Sequence, residues 1–289
     1  LNIVKGEGIY VYDDAGNKYL EGLAGLWCAS LGYGNEELID AITQQLKTLS
    51  YSHMFGGRTH KTVMQLADKL NEMLPIENGK VFFANSGSEA NDSHMKMLRY
   101  YFNVTGEPQK KKIIALERSY HGVTLAAAAL TGLPANHTHF SLPVDELGIL
   151  RTDSPHYYRS RIENETEREF CTRILNNLEE LILKEGPETI AAFIAEPIGG
   201  ASGVVVPPDS YFPEVETLLT KYDIMLWSDE VICGFGRTGN DFGCKTMGFQ
   251  PQLISLAKQL SSAYLPISAS VIPEYMYEAM IEPSSQVGV

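Results

Sequence analysis

Short apolar runs recur along the chain, and most are followed by a stretch with helical spacing. The runs are Lys80-Val81-Phe82-Phe83-Ala84, Lys112-Ile113-Ile114-Ala115-Leu116, Ile190-Ala191-Ala192-Phe193-Ile194-Ala195, Asp223-Ile224-Met225-Leu226-Trp227 and Leu253-Ile254-Ser255-Leu256-Ala257. Runs of this length read as buried strands. Helices are predicted over Glu36–Leu49, with Leu38, Ile39, Ile42 and Leu46 on one face and Asn35 as cap, and over Thr62–Leu74. Another starts at the capping box Ser86-x-x-Glu89 and runs to about Asn103. Glu163–Glu185 carries the stripe Phe170, Ile174, Leu178 and Leu181, and Pro208–Tyr222 is the last predicted helix. Near the N-terminus, Gly8–Tyr12 and Lys18–Glu21 flank the turn Asp13–Asn17, which reads as a β-hairpin. Leu142–Arg161 reads as loop, and Ser284–Val289 as an end without a terminal helix. Strands alternating with helices predict an α/β fold: a mostly parallel central sheet with helices on both faces.

Composition narrows the function classes. The chain has 289 residues, 44% of them hydrophobic, room for one large domain or one and a half. A net charge of −13 argues against a nucleic-acid surface or a polybasic membrane patch. No run approaches the roughly 18 apolar residues of a membrane span. The four cysteines lack CxxC spacing, so neither a zinc site nor a disulfide framework is expected, and a cytoplasmic location is. His137-x-His139 reads as a surface loop rather than a metal site. The chain starts at Leu1 and runs straight into strand pattern, and it reads as the middle of a longer protein. There are no repeats or low-complexity segments.

Two strand ends carry chemistry. Asp229 lies at the C-terminal edge of one apolar run and Lys258 at that of another, where open α/β sheets place ligands. A carboxylate there can hold a cationic ring nitrogen, and a half-buried lysine can act as a nucleophile toward a carbonyl. These are the two groups that pyridoxal phosphate (PLP) requires. The strand, small-residue turn and capped helix at Ser86 form an anion site of the kind phosphate occupies. Each piece also has an ordinary reading: a carboxylate after a strand is commonly a cap, and a lysine commonly lies on the surface.

The wording of these stretches goes further. Asp229-Glu230-Val231-Ile232-Cys233-Gly234-Phe235-Gly236-Arg237-Thr238-Gly239, followed by Ala257-Lys258, resembles the class III aminotransferases, in particular their ω-transaminase, amine or β-alanine:pyruvate branch. The resemblance covers about Gly8 to Ile272 and implies PLP fold type I, the aspartate-aminotransferase-like fold. It implies that Lys258 binds PLP covalently and that Asp229 pairs with the ring nitrogen. The string Ser86-Gly87-Ser88-Glu89-Ala90-Asn91-Asp92 resembles the family's phosphate cup, with Ser86, Gly87 and Ser88 as its donors. By the same resemblance Tyr120 stacks on the ring, His121 lies beside it, Val231 packs on the opposite face and Glu196 sits near the phenolic side. Trp27, Phe55, Tyr120 and Ala201 become substrate-pocket candidates, Phe55 reaching the neighbouring subunit of a homodimer. Gln259 and Ala263 depart from the family, which commonly has glycine at both positions.

The implied reaction is PLP-dependent transamination from a primary amine or ω-amino acid to a keto acid such as pyruvate. A decarboxylase or aminomutase on the same scaffold and a non-catalytic PLP-binding chain are the alternatives. The resemblance also divides the chain at residue 45. Residues 1–45 would be the N-terminal part of a small domain, and 46–289 the large PLP-binding domain. The arginine for the substrate carboxylate and the threonine for the partner's phosphate would fall beyond residue 289.

Overall fold

A computed structural model describes residues 1–288, which build two sheets. The smaller is antiparallel, with β1 (Ile3–Glu7), β2 (Tyr10–Asp13) and β3 (Lys18–Leu20) in that order. Asp13 fixes its hairpin turn: the carboxylate accepts from the backbone N–H of Asn17 at 2.8 Å and from the Tyr19 hydroxyl at 2.8 Å. The turn α1 (Ala24–Trp27) and the helices α2 (Glu36–Thr48) and α3 (Lys61–Met73) follow. Asn35 caps α2, its Oδ1 accepting from the Leu38 N–H at 3.2 Å.

From Lys80 onward the chain weaves a seven-stranded sheet. Its elements in chain order are β4 (Lys80–Ala84), α4 (Gly87–Val104), β5 (Lys112–Leu116), α5 (Leu125–Leu130), β6 (Ile149–Thr152), α6 (Tyr157–Ser160) and α7 (Glu167–Glu185). Then come β7 (Ile190–Ala195), α8 (Tyr211–Lys221), β8 (Met225–Asp229), α9 (Gly243–Met247), β9 (Leu253–Leu256), β10 (Ser268–Ile272) and α10 (Glu274–Val287). The spatial order is β4-β10-β9-β8-β7-β5-β6. Only β10 runs against its neighbours, pairing antiparallel with β4 and β9. The expected mostly parallel sheet is therefore present, with one reversed strand in it.

Both faces of the sheet are covered. Ile114 and Leu116 of β5 join a core with Leu70, Phe170, Ile174, Leu178, Phe212 and Val215, from α3, α7 and α8. Ile113 and Ala115 face the opposite core, with Met95, Leu98, Phe102, Ala129, Leu130 and Met276 from α4, α5 and α10. That alternation of neighbours along one strand is the two-residue period of a sheet buried on both sides.

Three expectations change. Helix α7 starts at Glu167 rather than Glu163, because Thr166 and Glu169 close a reciprocal capping box there. Within Leu142–Arg161, read as loop, Ile149–Thr152 pairs beside β5 as an edge strand. The C-terminal end is helical: α10 runs through Pro283 to Val287. Its polar last turn has no apolar stripe of its own. It continues a helix anchored by the fully buried Met276, and the Ser284 hydroxyl bonds the Tyr100 hydroxyl at 3.2 Å.

Candidate active site

The parallel strands end along one edge, and the residues just past those ends surround a cavity of about 510 Å³. Its wall includes Ser86, Gly87 and Ser88 after β4, Tyr120 and His121 after β5, Glu196 after β7, Asp229 and Val231 at β8, and Lys258 after β9. The fold thus gathers into one wall residues lying far apart in the chain.

Asp229 is buried and held by three donors. Its Oδ2 accepts from His121 Nδ1 at 2.8 Å and from Asn91 Nδ2 at 3.0 Å. Its Oδ1 accepts from the Val231 N–H at 3.1 Å. Asn91 also donates to the His121 carbonyl at 2.6 Å, so α4 holds both members of the pair. These three contacts fix the orientation of the carboxylate. His121 Nε2 is buried and has no hydrogen-bond partner among the described residues.

Glu196 is buried in a different setting. Its two oxygens accept from the Tyr120 N–H at 3.0 Å and the Gly200 N–H at 2.9 Å. Burial, reinforced by the nearby Asp229 charge, pushes its carboxyl up to about 7 against the opposing pull of His121.

The cup is the N-terminus of α4. Ser86 is its cap, accepting from the Glu89 N–H at 3.2 Å. The Glu89 carboxylate reaches back to the Asn85 N–H at 2.7 Å, one residue earlier than a capping box expects. The first-turn N–H groups of Gly87 and Ser88 have no partner within the helix and carry the positive end of its dipole. Close packing shapes this floor. A Cβ on Gly87 would come 3.0 Å from Val231 Cγ2, and one on Gly122, where φ is +137°, would come 2.4 Å from Ser88 Oγ.

Lys258 is half-buried, with a left-handed φ of +48°. Its Nζ makes no hydrogen bond or ion pair with any described residue. The turn after it is stitched to the N-terminal segment. Ser262 Oγ accepts from the Leu31 N–H at 3.1 Å, and the Tyr264 hydroxyl lies between the Asn35 N–H at 2.8 Å and the Gly32 carbonyl at 3.0 Å. Of the two departures noted above, Gln259 sits outside the left-handed region and packs its amide against Ser30 and Arg237. Ala263 does adopt a left-handed φ, +64°, where glycine would be unstrained.

Three pocket candidates lie off this wall. Phe55 is 83% exposed, Ala201 is exposed, and Trp27 sits half-buried in the left-handed turn α1, while its neighbour Cys28 does line the cavity. Residues not anticipated from sequence complete the site: Asn91, within the quoted cup string, and the apolar wall of Ile232, Leu265, Pro266 and Ile267. The apolar run two turns past Lys258 was the available signal for that wall. Among the described residues no group of three metal-ligating side chains occurs, the four cysteines are free, and no helix is long and apolar enough to cross a membrane.

These features fit PLP. An unspent helix N-terminus offers an anion cradle, a buried carboxylate held by three donors faces the same cavity, and an unpaired amine stands on its wall.

Comparison with known proteins agrees. The profile of the family aminotransferase class-III matches residues 1–288. Vanillin aminotransferase of Capsicum chinense is 50% identical over 289 residues, all of this chain and 62% of that protein. Gamma-aminobutyrate transaminase 1, mitochondrial, of Oryza sativa subsp. japonica is 52% identical over the same span, 56% of its length. The crystal structure of the omega transaminase from Pseudomonas jessenii in complex with PMP superposes with a TM-score of 0.97 at 50% identity, covering 100% of this chain and 63% of that one. The chain spans about three-fifths of the length of the curated relatives it matches.

Proposed function

The chain belongs to the class-III aminotransferases, a family that uses PLP, and from that premise we propose that its cavity carries out transamination between a primary amine or ω-amino acid and a keto acid such as pyruvate. The observation that carries this reading is the pairing, on one wall, of the unpartnered Lys258 amine with an Asp229 carboxylate held by three donors. When bound, PLP supplies an electron sink for the pair left behind as the substrate carbon loses its proton.

The chain's own residues do the rest. Lys258 Nζ would hold PLP covalently and, as an amine, would carry the proton away from and back to the substrate carbon. Asp229 would keep the ring nitrogen protonated, and His121 and Asn91 hold its carboxylate in place. The Gly87 and Ser88 N–H groups and the Ser86 and Ser88 hydroxyls would take the phosphate. With PLP in place, Tyr120 and Val231 would bracket the ring, and Glu196, pushed up to about 7 by burial, would lie on the phenolic side. The wall of Cys28, Ile232, Leu265, Pro266 and Ile267 suits an amine with an apolar body.

Further readings rest on this one. Residues 1–45, which hold the separate three-stranded sheet, form part of a small domain and 46–289 the PLP-binding domain. The working unit is a homodimer, in which the exposed Phe55 meets the second subunit's cavity beside Trp27 and Ala201. A cytoplasmic location is consistent with four free cysteines. Relatives named mitochondrial and chloroplastic make an organelle the alternative, and fractionation distinguishes the two.

The direct test is chemical. Purified protein given PLP should show visible absorbance that borohydride traps on a peptide containing Lys258. Label on a different lysine, or none, overturns the proposal.

A further inference from the structure

Along α4 the residues Gly87, Asn91 and His94 are spaced four and three apart, so they share one face of the helix. That face meets β8 and its continuation in register. Gly87 is packed on Val231, Asn91 bonds Asp229, and the His94 ring stacks edge-on against Trp227 with centroids 5.0 Å apart. Val231, Asp229 and Trp227 are two residues apart, the period of a strand. The first two contacts serve the site directly. The third lies beneath it.

His94 is fully buried, and its hydrogen bonds admit one arrangement. The Val271 carbonyl, 3.1 Å from Nε2, can only accept, so Nε2 carries the proton. Nδ1 then accepts from the Ser255 hydroxyl at 3.0 Å, and Ser255 Oγ in turn accepts from Trp227 Nε1 at 2.8 Å. Every polar atom of this chain of contacts is used. Burial pushes the imidazole down to about 4, against a smaller opposing pull from Asp229, the charged group near it, so it is neutral over ordinary pH. Ser255 stands three residues before Lys258 on β9, and its carbonyl accepts from the Glu230 N–H at 3.0 Å. Trp227 stands two residues before Asp229 on β8. A slide of α4 along the sheet breaks both links at once, a constraint that an apolar side chain filling the same space does not impose.

We infer that His94 is a positioning residue: through Ser255 and Trp227 it registers the phosphate cup of α4 against the strand ends that carry Lys258 and Asp229, an inference that rests on the reading of the cavity as a PLP site.

The test uses His94→Leu, Ser255→Ala, their double variant and His94→Asn, whose amide oxygen can accept in place of Nδ1. Four quantities are followed: the Kd for PLP, the pH midpoint of the bound cofactor's visible absorbance, the thermal midpoint, and amide exchange in the PLP-free protein. Registration predicts that the Leu and Ala variants each weaken PLP about tenfold and shift the absorbance midpoint, that the double variant is no worse than either single one, and that His94→Asn stays within about threefold of the parent. Amide exchange in the PLP-free protein should quicken at residues 256–262 in the Leu and Ala variants. If the thermal midpoint falls while PLP affinity and the absorbance midpoint stay put, His94 only fills the core and the inference is wrong. A parent protein that takes no borohydride label on Lys258 instead sinks the PLP reading itself, and this inference with it.

Discussion

At the scale of single residues, the site gives its two buried carboxyl groups different surroundings. Asp229 faces three donors, whereas Glu196 is buried with two and is pushed up to about 7. Asp229→Asn should retain PLP yet lose turnover on the order of 10²-fold or more, because an amide does not hold a ring nitrogen protonated. Near-normal turnover would reduce Asp229 to a structural role. Stability of the PLP-free protein should carry opposed pH signatures. The His94 value lies below its ordinary 6.5, at about 4, so its contribution is whole above about 6.5 and is lost as pH falls toward 4. The Glu196 value lies above its ordinary 4.5, so its contribution is present below about 4.5 and is lost as pH rises toward 7. The two oppose each other across nearly the same window. Glu196→Gln removes one of them, so denaturant titrations should show the variant gaining on the parent by about 3 kcal/mol between pH 4.5 and 7. Parallel pH profiles would show that Glu196 is not titrating as described.

At the scale of elements, the turn after Lys258 offers a sharp measurement. Ala263 sits at φ +64° on an exposed surface, with a Cβ that this backbone disfavours. Ala263→Gly should stabilise the protein by about 1 kcal/mol, offset in part by the looser unfolded chain, and a drop in the denaturation midpoint would contradict the strain. Elements were legible in the sequence where the local pattern was strong. The runs at β4, β5, β7, β8 and β9 were plain, as were the caps at Asn35 and Ser86. Ile149–Thr152 was not, because a four-residue edge strand holding an arginine has no distinctive period. Ser268–Ile272 was missed because its serines mask a fully buried strand. Cavity-wall residues carried by a motif could be named in advance. Asn91 could not be given its role, since its bond to Asp229 spans a contact that no local spacing encodes.

For the whole molecule, the exposed apolar residues bear on assembly. Tyr51, Met54 and Phe55 are 79, 51 and 83% exposed within one short loop. Exposure of this kind commonly marks an interface. If the homodimer proposal is right, Phe55→Asp should lower the sedimenting mass at micromolar concentration from that of two chains toward that of one. A mass unaffected by the charge would place the interface elsewhere.

The reversed strand β10 has a consequence in time. Strand β4 pairs with nothing in the large sheet except β10, through contacts such as Ala84 with Ser268. The N-terminus of α4 therefore hangs from a strand whose neighbour is translated last among the sheet's members. At ordinary elongation rates the wait is on the order of 10 s or more. During it, β4 presents an unpaired edge bearing Phe82 and Phe83 to whatever surrounds the ribosome. Protease pulses on stalled nascent chains should find β4 cleavable until Ile272 has left the exit tunnel. On this reasoning the edge stays open for as long as synthesis of the intervening strands takes.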